Sequence, residues 1–409
     1  MSTLQKVIFV NRFFYPDHSA TSQLLTDLVT KLKLEGKEIH IVTSRMKYDD
    51  ETVVLKDFEV WRHVYIHRCW SSRFGRSVLI GRSVDYITFY VTSFITLLRL
   101  TAKNDIVVAK TDPPLISVTC AIVVKLKSAV LINWIQDLFP EVAKELGIKL
   151  FNGFLYKIIK AVRNWSLKVA RFNVVLGKIM AEKINKEINR SDTTVIIPNW
   201  VIGREMKPVH RSSNLYRDEW GVGDKFVIGY SGNLGRAHDY KTILNAAIEL
   251  KENSEIIFIF IGGGAGYDIL KRESDKLNLP NITFKPYQPS DHLSQSLSVA
   301  DVHLISLEPT LEGLIVPSKL YGILSVGRPI IFLGDSDGEI ARELKEGRCG
   351  YTARIENHKN LVSIIRYLYN NKDECDEFSA NARALYENKF SVEKSISGWY
   401  RVLTDAGNK

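Results

Sequence analysis

The chain has little cysteine, and its four residues, Cys69, Cys120, Cys349 and Cys375, lie far apart with no CxxC pair among them. That usage encodes neither a disulfide framework nor a zinc site, and it fits a reduced compartment. Long apolar runs are missing too. The most apolar stretch, Tyr86 to Leu98, is interrupted by Thr and Ser and bounded by Asp85 and Arg99, well short of the roughly 20 residues that span a bilayer. Met1 to Asn11 holds one short apolar run, Val7 to Val10, with Arg12 close behind it; a secretory signal needs a longer run and a small-residue cleavage site. Neither export nor a transmembrane helix is expected. Internal repeats and low-complexity tracts are lacking, which excludes collagen-like and disordered classes.

What remains is an ordinary globular composition: 409 residues, 45% hydrophobic and 25% charged, enough for about two domains. Lys and Arg number 55 against 46 Asp and Glu, a net charge of +9. A field of that sign favours nucleic acid, anionic lipid or phosphorylated ligands.

Short β-branched runs alternate with segments of helical period throughout. KVIFV (Lys6 to Val10), EIHIVTS (Glu38 to Ser44), DIVVAK (Asp105 to Lys110), VLINWIQD (Val130 to Asp137) and FNVVLG (Phe172 to Gly177) read as strands of one half. FVIGYSG (Phe226 to Gly232), EIIFIFIGGG (Glu255 to Gly264), NITFKPY (Asn281 to Tyr287), DVHLISL (Asp301 to Leu307) and PIIFLG (Pro329 to Gly334) repeat the rhythm in the other. This βαβ signature predicts two doubly wound, Rossmann-like α/β domains, with ligands beyond the C-terminal strand ends and a cleft between the domains as the default site. The polar stretch from Gly203 to Asp218 marks the boundary, giving domains 1–203 and 204–390. The tail, 391–409, is helical in pattern and is expected to return to the first domain.

Three glycine-bearing or charged loops hold candidate chemistry. GGGAG (Gly262 to Gly266) follows a strand and opens a helix, so it is either a structural turn or a phosphate contact through bare amides. SGNLGRAHDYK (Ser231 to Lys241) puts Arg236, His238 and Lys241 at a helix start, where cations are unfavourable unless an anion is near; the alternative is a solvated turn compensated by Asp239. In LEPTLEGLIVPSKLYGILSVGRPII (Leu307 to Ile331), Glu308 and Glu312 flank a loop, Pro317 suits a first helical turn, and Ser318 and Lys319 lie just inside it.

These motifs carry a family resemblance. GNLG at 232–235, FIGGG at 260–264, ITFKPYQP at 282–289 and EGLIVPSKLYGILSVGRPII resemble the donor half of GT-B glycosyltransferases, specifically glycosyltransferase family 4. KVIFVNRFFYPDHSATSQLL, WIQDLFPE at 134–141 and VIIPNW at 195–200 resemble its acceptor half, and the closest likeness is to the subgroup building bacterial surface polysaccharides, fucosamine-type transferases included. The resemblance implies retaining transfer from a nucleotide diphosphate sugar in the C-terminal domain to an acceptor on the N-terminal one, with no divalent metal and no other cofactor. DSD at Asp335 to Asp337 is read as a turn and N-cap rather than a metal site.

By position, the resemblance makes Glu312 the first of a glutamate pair that touches the donor sugar, with Gly313, Leu314 and Ile315 near sugar and diphosphate. The second glutamate's place is held by Gly322, which leaves Glu308 or Lys319 as substitutes at the ribose. In the phosphate loop, Asn233 and His238 stand where relatives carry Arg and Lys, so Arg236 and Lys319 become the cations for the leaving diphosphate. Gly232, Gly263, Tyr287 and Ser318 complete the donor set. Asp137 is expected near the reacting sugar and acceptor hydroxyl, or else as a helix cap; His18, Ser19 and Thr21 form the acceptor-side loop.

Much of the positive charge lies on two aromatic-rich segments of the first domain. One holds Trp70, Arg73, Arg76 and Arg82; the other holds Phe154, Lys157, Lys160 and Trp165. Such mixtures suit an anionic membrane surface, although the apolar faces would equally pack on a sheet. Nucleic acid is not expected, since none of its motifs is present. The leading expectation is a cytoplasmic enzyme peripheral on the inner membrane, acting on a polyprenyl-diphosphate-linked or lipopolysaccharide-core acceptor. A catalytically weak GT-B subunit that binds lipid or a partner, or a nucleotide-sugar epimerase, are the alternatives.

Overall fold

The central strands of both halves are runs of β-branched and aromatic residues buried on both faces, the pattern of parallel sheets covered by helices. The computed structural model describes residues 4–48, 50, 52–74, 79–148, 151, 153–202 and 206–407. The chain divides into two compact units, Met1–Pro198 with Glu393–Lys409, and Asn199–Val392.

In chain order the first unit contains β1 (Gln5–Val10), α1 (Ala20–Lys31), β2 (Lys37–Ser44), β3 (Phe58–Trp61), β4 (Val64–Cys69), α2 (Leu79–Leu100) and β5 (Ile106–Lys110). It continues with α3 (Ile116–Lys127), β6 (Val130–Trp134), α4 (Glu141–Glu145), α5 (Phe154–Val169), β7 (Phe172–Val175), α6 (Lys178–Ile188) and β8 (Thr194–Ile196). The second unit contains α7 (Leu215–Glu219), β9 (Phe226–Asn233), α8 (Lys241–Glu249), β10 (Ile256–Gly263), α9 (Ala265–Lys276), β11 (Ile282–Lys285) and α10 (Leu293–Ser298). Then follow β12 (Val302–Ser306), α11 (Lys319–Ser325), β13 (Ile330–Leu333), α12 (Glu339–Gly347), β14 (Gly350–Ala353), α13 (His358–Asn370), α14 (Lys372–Leu385) and α15 (Val392–Gly407), the last belonging to the first unit.

The first sheet has the order β3-β4-β2-β1-β5-β6-β7-β8 and the second β11-β10-β9-β12-β13-β14. All pairings are parallel except β3 with β4. Strand order reverses between β1 and β5 in one unit and between β9 and β12 in the other, and those switch points open the crevices where such sheets bind ligands. The strands unannounced by the sequence rhythm are β3, β4, β8 and β14. β3 is a short edge strand of alternating exposed and half-buried residues, and edge pairing leaves only a weak hydrophobic signature.

The tail joins the first unit by specific contacts. Trp399 on α15 is fully buried against Trp134 at the end of β6, ring centroids 4.6 Å apart, and Ser395 Oγ donates to the Pro198 carbonyl at 3.1 Å. Both indoles are fully buried. Replacing Trp399 by Ala should therefore lower the unfolding free energy by about 3–5 kcal/mol, read as an earlier urea transition by circular dichroism.

Candidate functional site

At the switch point of the second unit, the loop after β9 and the loop after β12 are knitted together. Lys319 Nζ donates to the Asn233 carbonyl at 2.7 Å and lies 5.0 Å from the Tyr230 ring centroid. His238 Nδ1–H donates to the Ser306 carbonyl at 2.6 Å, and the Glu308 amide donates to the Ala237 carbonyl at 2.9 Å. Burial, reinforced by the Lys319 charge, holds the His238 imidazole down at about 4, so it is neutral at physiological pH. Burial also lowers the Lys319 ammonium to about 8. Asp239 caps α8 by accepting from the Lys241 and Thr242 amides. Arg236 is exposed and has no ion pair among the described residues.

The glycine turn after β10 serves packing. Its Gly262 lies opposite Gly232 in the parallel register, with φ +137°, and a Cβ there would stand 2.4 Å from the Gly232 carbonyl oxygen. The Leu234 carbonyl then accepts from the Gly266 and Tyr267 amides at the start of α9. Those amides, candidates for phosphate, are thus satisfied within the protein. Gly263 lies against the edge of the exposed Tyr287 ring.

Glu312 has a partner the sequence did not disclose. Its buried carboxylate accepts from the Glu339 amide at 2.8 Å, capping α12 from 27 residues away. Burial raises its pKa, while the bonds from the Glu339 and Gly313 amides oppose the rise. Asp335 closes the DSD turn by accepting from the Asp337 amide, but the cap of α12 comes from Glu312. The Leu314 and Ile315 amides donate to the Leu311 carbonyl, so these groups, expected to face sugar and diphosphate, are engaged inside the loop. Gly322 faces apolar neighbours: a Cβ there would meet Leu297 Cδ1 at 3.4 Å and Met206 Cε at 3.5 Å. Ser318 is exposed at the start of α11 and makes no side-chain cap.

In the first unit, the ends of β1, β5 and β6 converge. The Arg12 amide donates to the Asp112 carbonyl, and Thr21 Oγ1 donates to Asp112 Oδ2 at 3.3 Å. Ser19 begins α1 with its amide bonded to Asp17, and His18 is exposed beside it. Asp137 keeps solvent access but is crowded by protein on its other sides; this desolvation, with the Asp112 charge, raises its carboxyl to about 6 while Lys110 opposes the rise. It caps no helix, because α4 starts at Glu141 with Pro140 before it.

Residues 213–385 match the family model described as Glycosyl transferases group 1. Residues 213–385 form a group 1 glycosyltransferase domain. This glycosyltransferase is 28% identical over 301 residues to a Pseudomonas aeruginosa protein named Probable glycosyltransferase WbjE, covering 72% of this chain and 73% of the relative. It is 23% identical over 349 residues, 82% of this chain and 85% of the relative, to Escherichia coli K12 WcaI, named for colanic acid biosynthesis as a glycosyl transferase. Its fold matches that of Anabaena HepE, solved in complex with UDP and glucose, with TM-score 0.72 at 14% identity over 98% of this chain and 100% of the other. The architecture is that of GT-B glycosyltransferases.

Within the glycosyltransferase the structure gathers Gly232, Asn233, His238 and Lys319 around one point and adds Tyr230, whose strand position offered no sequence signal. The basic segments separate in the same way. Arg163 is buried and bound to Glu141 and Glu187, and Lys160 pairs with the same two acids, so Lys160 is held in an internal network. Trp70, Arg73 and Arg82 are exposed, Arg82 Nε donating to the Tyr86 hydroxyl; Arg76 lies outside the described residues. Phe154, Lys157 and Trp165 are exposed on α5, where Leu155, Ile158 and Val162 extend the apolar surface. Neighbouring helices add to it, Ile87, Val91 and Ile95 from α2 and Ile122 and Leu126 from α3, which packs against both α2 and α5. Among the described residues no group of three His, Cys, Asp or Glu is arranged to hold a metal ion, and no helix is long and apolar enough to cross a membrane.

The capping role of Glu312 is separable from any contact with sugar. Glu312→Ala should cost about 1–2 kcal/mol of stability in urea denaturation, whereas Glu312→Gln retains an acceptor oxygen and should unfold within about 0.5 kcal/mol of the parent.

Proposed function

We propose that this enzyme transfers a sugar, with retention, from a nucleoside diphosphate sugar to a lipid-linked glycan acceptor in bacterial surface polysaccharide synthesis, working at an anionic membrane surface. The observation that carries the donor half is the convergence of Lys319, Asn233 and His238 at the β9/β12 switch point of a group 1 domain. Lys319, with the exposed Arg236, supplies cations where charge develops on the departing diphosphate. Neutral His238 donates from Nδ1 to the protein, which leaves Nε2 as its acceptor face. Exposed Tyr287 offers a ring beside Gly263 for a nucleobase.

The biosynthetic setting rests on the relatives, one named for colanic acid biosynthesis, and on the UDP and glucose of the HepE complex. At the acceptor, Asp137 is the carboxylate that orients the attacking hydroxyl and stabilises the oxocarbenium-like state. The membrane reading rests on the apolar face of α2, α3 and α5 with Lys125, Lys157 and Lys168 exposed among it; an exposed apolar surface flanked by cations suits an interface with anionic lipid. A second reading, a catalytically weak subunit that binds lipid or a partner enzyme, is favoured by one observation: Gly322 and its apolar neighbours offer no carboxylate for the ribose.

Assay of the purified protein with a panel of nucleotide sugars and polyprenyl-diphosphate-linked acceptors decides between them. Transfer supports the enzyme; binding of the lipid-linked acceptor without transfer supports the subunit; neither leaves both readings without support. In the free enzyme the Lys319 ammonium loses its charge as pH rises through about 8. Nucleoside diphosphate affinity by calorimetry should therefore fall above pH 8, up to about tenfold per pH unit, and Lys319→Met should bind more weakly without that fall. For the membrane, Leu126→Glu with Phe154→Glu should lower co-sedimentation with phosphatidylglycerol vesicles about tenfold or more, while turnover of a water-soluble acceptor analogue stays unchanged.

A further inference from the structure

Lys110 ends β5, an otherwise apolar buried strand, and is itself 1% exposed. Among the described residues its Nζ has no hydrogen-bond partner, and it sits 3.4 Å from the centroid of the Trp134 ring. Trp134 is backed in turn by Trp399, so the aromatic seat is rigid. An amine placed in such surroundings costs desolvation that an aliphatic residue would avoid, and a fold alone does not call for it.

Lys110 also lines a small cavity of about 30 Å³, room for about one water. Asp137 and Arg163 line the same cavity. The charged groups around it can be matched element by element. Arg163, from α5, is bound to Glu141 and Glu187. Arg12, after β1, lies 3.7 Å from Asp85 of α2. From α3 come Ile116 and Ser117, and from α15 comes Trp399, none of them charged. Asp112, two residues beyond Lys110, and Asp137, beyond β6, are the acids whose charges act on the Lys110 amine.

We propose that Lys110 is a positioning residue for the transfer: an ammonium seated on the face of Trp134 that keeps the Asp137 carboxylate ionised beside the acceptor hydroxyl. The proposal rests on the reading of Asp137 as the acceptor-side carboxylate. The opposing influences are visible in both groups. Burial drives the amine well down from its ordinary value, and the Asp112 and Asp137 charges push it back up; burial and Asp112 lift Asp137, and Lys110 restrains it. The π face supplies the attraction that lets an ammonium persist without a hydrogen-bond acceptor. Without that charge the Asp137 carboxyl would bind its proton at a higher pH and lose its ability to accept from the hydroxyl.

The test is the pH profile of kcat/KM for Lys110→Met, Asp137→Asn and the parent with a soluble acceptor. The parent should lose activity as pH falls through about 6, and Lys110→Met should move that limb to higher pH by about one unit with a smaller change at pH 9. An unmoved limb in Lys110→Met, together with a limb abolished in Asp137→Asn, overturns the role of Lys110 and leaves Asp137 in place. Full activity and an unchanged limb in Asp137→Asn instead overturn the reading beneath it. Should Lys110→Met fail to fold, 13C-lysine labelling of the parent reads the Lys110 Cε directly: an ammonium signal at pH 7 supports the proposal and a neutral amine at pH 7 overturns it.

Discussion

At the ends of β9 and β10 two backbones come so close that a side chain at Gly262 would collide with the Gly232 carbonyl, and the loops after β9 and β12 are built on that approach. Closeness lets the Leu234 carbonyl reach the first amides of α9, which ties the two turns into one unit. With Leu234 turned that way, the Asn233 carbonyl is directed to Lys319, and the same loop carries His238 to Ser306 and Ala237 to Glu308. The familiar use of a glycine turn, phosphate on bare helix amides, is closed at the Gly266 and Tyr267 amides of α9, which the Leu234 carbonyl occupies.

The first unit works by a different physical means. Its crevice is shaped by buried charge: Arg163 between Glu141 and Glu187, Arg12 near Asp85, and Lys110 on Trp134 near Asp112 and Asp137. Each such charge is tolerable because a counter-charge or a π face offsets its lost hydration. Because Asp137 follows β6, its proton affinity is coupled to that packing, and the strands that hold the core also set the electrostatics of the crevice. The same helices have two apolar aspects. On α2 the inner row, Asp85, Phe89, Ser93 and Leu97, is buried, while Ile87, Val91 and Ile95 face outward. The choice between a helix that packs on the sheet and one that meets a membrane is therefore not exclusive for this surface.

Much of the fold was legible in the sequence, because the period of a buried strand and of a covering helix is a local property. The runs Val7 to Val10, Ile106 to Ala109, Phe226 to Tyr230 and Ile256 to Ile261 each display it, and their order yields two doubly wound sheets. The loops that end those strands follow at once, and so do Asn233, His238, Lys319 and Asp137 as residues placed at strand ends. β3 escaped because an exposed edge strand carries half the hydrophobic signal of a central one.

The sequence by itself determined, then, most of the residues that form the sheets, those of β3, β4, β8 and β14 excepted, and which residues follow their C-terminal ends. Only the tertiary structure decided what those residues touch: that Glu312 caps α12, that the α9 amides are taken by Leu234, that Lys160 belongs to an internal pair of acids, and that Lys110 rests unbonded on Trp134. The division has a physical cause. Secondary structure follows from backbone sterics and burial within a few residues, whereas a buried polar group must find its partner wherever packing brings one. For Glu312 and Glu339 that distance is 27 residues along the chain, beyond the reach of any local pattern.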